Sequence, residues 1–394
     1  MNMKKDKHNP VSGAGLPRRG FVRSMAGGTL GAALAASPVG NVALGQERDA
    51  PPKPNANRKV LMHVGCQTGG TTVKNLEFKA RHGVFNIDGG MPEYIPGKGW
   101  SLEDSLRKRE ACEKYGIKLD AYHLPLTSAG IDKVTHPNIM LGKSPERDRE
   151  IEEIQQMIMV AGKTGVTLLN YNTTILPVLR TGTTVDPKRG NARYSTWVYE
   201  EAVKRNEPLT RAGVVTADDM FERIKYLIDR IVPVAEEYKV RLGNHIADPP
   251  THVGYRGITR WTSPDVFAAM KRFAALSDSP YHGFNFCIGS IAEGLKDPKN
   301  EIHEIIRYFG PRKKIFNIHL RNIKGGWDNF QEVYSDNGDM DFYQVLKTLQ
   351  EVGYPYMVMP DHVPSHPDDP THEQAFAHAY GYIKAMLQAI AGGA

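Results

Sequence analysis

The sequence predicts an α/β chain folded as a (β/α)8 barrel, the TIM-barrel architecture, and three observations predict it. Eight short runs rich in β-branched and aromatic residues alternate with helical patterns along the chain. Glycine stands between helical segments and the next run in "GKGW", "GIK", "GVT" and "GYP", as helix C-caps require. The Gly-rich "GCQTGGTT" after the first run lacks the spacing of a nucleotide-phosphate loop. That absence weighs against the doubly wound open sheet, the alternative arrangement, and marks the stretch as an active-site loop.

The barrel is preceded by a different kind of sequence. Arg18 and Arg19 stand in the pattern R-R-x-F-V-R, and a weakly apolar Gly/Ala-rich segment runs from Ser24 to about Leu44. Small residues, Ala43-Leu44-Gly45, then suit a signal peptidase, so residues 1–45 resemble a twin-arginine export signal. The expected location is periplasmic. The segment is too poor in Leu, Ile and Phe to be a spanning helix, so no membrane anchor is expected after processing. Residues 46–58 form a Pro-rich polar linker, and the catalytic barrel is expected over 59–394. Much of the net charge of +6 lies in the first 60 residues, and no compact Lys/Arg run with interleaved aromatics follows, so a nucleic-acid partner is not expected.

The eight runs are 59–65, 83–89, 117–124, 166–172, 240–246, 283–289, 314–320 and 356–362. Between them, "SLEDSLRKREACEKYGI" opens on Ser101 with acids in its first turn, and "SPERDREIEEIQQMIMVAGKTG" closes at Gly165. "TADDMFERIKYLIDRIVPVAEEYK" carries Pro233, which predicts a kink. "SPDVFAAMKRFAAL", "NEIHEIIRYFG", "DFYQVLKTLQEVG" and a last helix over roughly 371–391 complete the alternation. The charged insertion from Leu179 to Thr216, with Tyr194, Trp197 and Tyr199, reads as a lid or an oligomer contact.

Barrel active sites sit at the C-terminal ends of strands. The last four runs end on His245, Cys287, His319 and Asp361. Imidazole, thiolate and carboxylate are the ligand types of a borderline divalent metal: Mn, Fe, Co, Ni or Zn. Cys287, odd among three cysteines in an exported chain, would be held as a coordinated thiolate, while Cys66 and Cys112 are free to pair. His362 adjoins Asp361 and is a candidate general acid or base. Arg321 shares a strand face with His319 and could grip a substrate carboxylate.

These residues resemble the D-mannonate dehydratase family of the xylose-isomerase-like barrels. The resemblance rests on "NHIADPP", "FCIGS", "IHLRNIK" and "PDH", with "RDREIEEIQQMIMVAGKTGVTLLNYN", and covers roughly 60–390. It implies dehydration of D-mannonate to 2-keto-3-deoxy-D-gluconate, usually with Mn2+. It implies His245, Cys287, His319 and Asp361 as ligands, His362 in proton transfer and Arg321 on the substrate, within a homo-oligomer. Asn170 and Asn322, inside the resembling segments, are candidate substrate-binding amides. The family also has a catalytic tyrosine beyond the Asp-His pair, whereas residues 363–379 hold none and Tyr380 and Tyr382 come later. "HPDDP" at 366–370 looks like a metal motif but follows the eighth run, which marks it as a decoy. The alternatives are a metal-dependent sugar isomerase, epimerase or keto-sugar lyase on the same barrel, which would turn over neutral sugars, and a non-catalytic sugar-binding protein without metal.

Overall fold

The computed structural model describes Asn55 and residues 58–393. The expected export signal over 1–45 and most of the linker lie outside the described residues. Among the described residues no helix is long and apolar enough to cross a membrane.

Eight parallel strands close into a barrel in chain order: β1 (His63–Cys66), β2 (Asn86–Asp88), β3 (Lys118–His123), β4 (Leu168–Asn172), β5 (Arg241–His245), β6 (His282–Cys287), β7 (Ile315–His319) and β8 (Met357–Met359). Each falls within, or within one residue of, a run that the sequence marks. Every strand pairs only with its parallel neighbours, so no edge is left open.

The helices start where capping chemistry starts them. Ser101 accepts from the Asp104 N–H at the head of Leu102–Glu113, and Thr216 and Asp219 form a reciprocal capping box at the head of Ala217–Tyr238. That second helix continues through Pro233 to Tyr238. Its apolar stripe, Ile224, Leu227, Ile228 and Ile231, is fully buried against the barrel. A separate small cluster, Ala121, Leu168, Phe316, Met357 and Met359, fills the barrel interior. The large core therefore lies between strands and helices, and the interior plug sits below a layer of paired amides and the polar strand ends.

The 179–216 insertion is neither a free lid nor a loop. Gly182–Asp186 and Ala192–Val198 join Asn329–Val333 and Asn322–Gly326, from beyond β7, in a four-stranded antiparallel sheet. Tyr194 and Trp197 are buried within the chain's own fold, and Tyr199 stacks on His252 with centroids 4.0 Å apart. This side sheet carries residues into the site from positions far apart in sequence.

Candidate functional site

Strand geometry assembles the four donors. His245, Cys287 and His319 are the last residues of β5, β6 and β7, and Cys287 is in register with His319. Asp361 lies two residues beyond β8. All four are buried, and one ligand atom from each lies within 4.8 Å of the others. Cys287 Sγ is 3.5 Å from Asp361 Oδ2, and His319 Nδ1 is 3.5 Å from Asp361 Oδ1.

The surroundings prepare these atoms for a cation. His245 Nδ1 is 2.8 Å from the Ile246 carbonyl, so with the proton on Nδ1 the Nε2 lone pair remains free. Burial pulls both imidazoles down, His319 to about 3, so they are neutral ligand forms. Neither ring nitrogen of His319 has a hydrogen-bond partner, although both are buried. A buried histidine with two orphaned nitrogens is costly in the absence of a further ligand. Burial pushes the Cys287 thiol well up, Arg321 notwithstanding, so a cation at the centre is what would make it a thiolate. The N–H and hydroxyl of Ser290, at 3.4 and 3.3 Å from Sγ, stand ready as donors to that thiolate. Burial alone would raise Asp361, but His362, His319 and Arg321 hold it below the usual carboxylate range. Two neutral imidazoles, one thiol and one carboxylate fit a divalent metal of the borderline class.

A cavity of about 510 Å3 opens onto this centre. Gln67, Thr68 and Gly69, from the Gly-rich loop after β1, form part of its wall, as the sequence indicates. Gln67 Nε2 also donates to Asp361 Oδ1 at 2.9 Å. Thr127, Ser128 and Asn172 add hydroxyl and amide groups suited to sugar hydroxyls.

His362 reaches the cavity with its side chain 41% exposed. Burial and Arg321 lower its pKa, but Asp361 and Glu332 outweigh them and lift it to about 9. Its Nδ1 lies 2.8 Å from Glu332 Oε1. Arg321 Nη1 lies 2.6 Å from the same Nδ1, and the ring stands on the cavity wall as a group suited to proton transfer.

Arg321 departs from expectation. Its side chain is wholly buried and does not line the cavity. It donates to Asp248 Oδ2 at 2.8 Å, Glu293 Oε1 at 3.0 Å and Glu332 Oε1 at 2.7 Å, and lies 3.3 Å from Asp361 Oδ2. With both terminal nitrogens taken up by protein groups and Nε buried, it cannot also fork onto a substrate, so the expected substrate contact is corrected to an internal strut. Gly289 of the C-I-G-S stretch makes room for it, because a Cβ there would overlap the Arg321 side chain. Arg180, from the insertion, contacts Asp248, Glu293 and Glu332 from the other side. Burial lifts Glu293 well above the carboxylate range, whereas the two guanidiniums overcome burial to hold Asp248 well down and, with His362, Glu332 at about 2. Three cations, Arg180, Arg321 and His362, thus balance three carboxylates, Asp248, Glu332 and Asp361.

Both asparagines also differ from expectation. Asn170 faces the barrel interior, where its amide donates to Asp88 Oδ2 at 3.2 Å, and it does not line the cavity. Asn172, two residues on along the same face, does. Asn322 is locked by the backbone: it donates to the Ser335 and Met340 carbonyls and accepts from the Ile323 and Met340 N–H groups. Gly338 packs against it so closely that a Cβ would overlap its amide. Tyr380 is buried and donates to Cys66 Sγ at 2.9 Å, away from the cavity. Cys66, Cys112 and Cys287 are all free. In "HPDDP", Asp369 accepts from the Gln374 and Ala375 N–H groups at the start of the last helix, which is a capping role.

His123 escaped notice in the sequence. It ends β3 and lines the cavity, with Nδ1 2.7 Å from the Leu124 carbonyl and so, with the proton there, a free Nε2. Its position at a strand end was the signal available.

Comparison with known proteins bears on this geometry. The family description D-mannonate dehydratase (UxuA) matches residues 197–391. A mannonate dehydratase of Thermotoga maritima is 30% identical over 314 residues, covering 71% of this chain and 82% of that protein. One from Shouchella clausii is 29% identical over 317 residues, covering 73% and 84%. The crystal structure of mannonate dehydratase from Streptococcus suis serotype 2 superposes with a TM-score of 0.68 at 26% identity, covering 84% of this chain and 93% of that one. A xylose isomerase domain protein from Planctomyces limnophilus, at 16% identity and a TM-score of 0.54, shares the fold.

Proposed function

This chain belongs to the mannonate dehydratase family, and from that premise we propose that its buried centre removes water from D-mannonate to give 2-keto-3-deoxy-D-gluconate. The observation that carries the reading is the meeting of His245, Cys287, His319 and Asp361 at four consecutive strand ends, with both His319 nitrogens lacking a partner. These four residues would hold a divalent metal, with Mn2+ the first candidate and Fe2+, Co2+, Ni2+ and Zn2+ the others. Bound there, the ion would polarise the substrate carboxylate and 2-hydroxyl and so stabilise the charge left when the C2 proton departs.

The remaining steps fall to the chain's own groups. Asp248 is neutralised by Arg180 and Arg321, and the four donors are committed to the centre. Of the titratable groups on the cavity wall, His123 and His362 are left. His123 Nε2 takes the C2 proton. His362, an imidazolium braced by Glu332, gives a proton to the departing C3 hydroxyl, and the enol then tautomerises to the keto acid. Gln67, Thr68, Thr127, Ser128 and Asn172 orient the chain of hydroxyls. The Arg18-Arg19 pattern supports export by the twin-arginine route to the periplasm, and family membership supports a homo-oligomer.

The test is paired. Metal content is measured on purified protein, and keto-acid formation from D-mannonate is followed on the same sample. About one ion per chain, with keto acid formed and both lost in Cys287→Ser, is the expected result. Metal retained by the variant would refute the ligand set, and metal without keto acid would refute the substrate.

A further inference from the structure

The interior plug separates the catalytic end of the barrel from a second cavity, of about 610 Å3, at the N-terminal end. Its wall is made by residues at strand starts. Lys118 opens β3, Arg241 opens β5, and Lys239 and Lys313 stand just before β5 and β7. Asp120 is the one carboxylate on this wall, and it is engaged by Lys118 and by the Asn86 amide. Among the described residues Lys239, Arg241 and Lys313 have no carboxylate at ion-pair distance. The Arg241 guanidinium rests on the Tyr356 ring, 3.8 Å from its centroid. Its hydrogen bonds are long, 3.5 Å to the Phe316 carbonyl and 3.3 Å to the Thr167 hydroxyl.

The backbone adds an independent observation. The turns leading into β2, β3, β4 and β8 use glycine at positive φ: Gly83, Gly116, Gly165 and Gly353. The turns into β5 and β7 place Lys239 at φ 60° and Lys313 at φ 54° instead. Both lysines line this cavity. Fold stability would favour glycine at both positions and would not gather like charges around one space.

We propose that this cavity binds a multiply charged oxyanion, of the phosphate or polycarboxylate class, through Lys239, Arg241 and Lys313. The guanidinium offers a planar fork held flat by Tyr356, and the two ammonium groups supply mobile charge at the rim.

The substitutions that test it are ones the backbone welcomes. Lys239→Gly/Lys313→Gly removes both charges at positions where glycine is unstrained, so its melting temperature should equal or exceed the parent's. Pyrophosphate is titrated calorimetrically into the full metal-loaded chain at moderate salt. The expected result is one anion per parent chain, at least tenfold weaker binding in the double variant, and unchanged keto-acid formation. Pyrophosphate also coordinates metal ions, so binding that persists undiminished in the double variant lies at the other end and overturns the proposal. No binding by the parent at millimolar anion overturns it as well. Arg241→Gln approaches the same pocket from a different residue, and full affinity there would contradict the assigned fork.

Discussion

Replacing Arg321 by Met separates two roles that a single arginine could play. A substrate contact would raise KM and leave folding alone. The buried strut described above makes the opposite demand. Arg321 lies within 3.3 Å of four carboxylates. Arg180 still touches three of them after the substitution, so the uncompensated loss is close to one buried charge. Removing one partner of a buried ion pair costs about 3–5 kcal/mol. At ~2.1 cal/mol/K per residue, the described chain has an unfolding entropy of about 0.7 kcal/mol/K, so the melting temperature should fall by roughly 6 °C at neutral pH. The deficit has a defined pH dependence. Asp248 and Glu332 have folded-state pKa values below the ordinary carboxylate range, Glu332 at about 2. Their stabilising contribution is full above the unfolded pKa of about 4 and is lost as pH falls toward 2. The gap between parent and variant should therefore be full above about pH 5 and close on acidification. Thermal unfolding by circular dichroism across that range is the assay. A melting temperature within ~1 °C of the parent, with KM for D-mannonate raised, would refute the strut.

Other consequences are equally direct. His319→Ala should lose its metal by elemental analysis while keeping the fold, since the residue makes no protein hydrogen bond to give up; a full complement of metal would count against its role as a ligand. His362→Gln should lower kcat by about 10²–10⁴ while the substrate C2 proton still exchanges with D2O, whereas His123→Asn should abolish that exchange. Exchange lost in the first variant and kept in the second would reverse the two assignments. His282 is buried against Phe273, with Nε2 2.9 Å from the Phe273 carbonyl, and burial lowers its pKa to about 4. A lowered histidine binds its proton more readily when unfolded, so its contribution is full above about pH 6.5 and is lost toward pH 4, by on the order of 3 kcal/mol. Denaturant unfolding of His282→Gln should show a shallower pH slope over that window, and parallel curves would dismiss the effect.

What the sequence discloses follows from how local each signal is. A strand buried on both faces is a short run rich in apolar and β-branched residues, and all eight could be read that way. Residues at the ends of such runs converge because a barrel closes, so His245, Cys287, His319 and Asp361 were legible without any contact being visible. The environment of Arg321 was not. Asp248 reaches it from the loop after β5 and Glu293 from the end of the short helix after β6, while Arg180 precedes the first strand of the side sheet and Glu332 lies on Asn329–Val333, 152 residues apart in sequence. No periodicity links two side-sheet strands that meet only through a third, Ala192–Val198, across such a distance. Asn170 and Asn172 illustrate a finer limit. Alternation places both on the inner face, but which of them reaches the cavity depends on where the strand ends. Pro233, where the sequence predicts a kink, lies inside one helix that runs on to Tyr238, with the Ile224–Val232 stripe packed beneath it.

The four donors also have a topological meaning. They sit on β5, β6, β7 and the segment after β8, with Cys287 and Asp361 74 residues apart. An ion shared among them is a cross-link that closes three successive loops and joins half of the barrel into one covalent-like ring. Its stabilisation depends on free metal, about 2.7 kcal/mol at a concentration one hundred times the Kd. The first four strands contribute no donor. A chelator should therefore loosen the barrel unevenly, with amide exchange accelerating in β5 to β8 before it does so in β1 to β4.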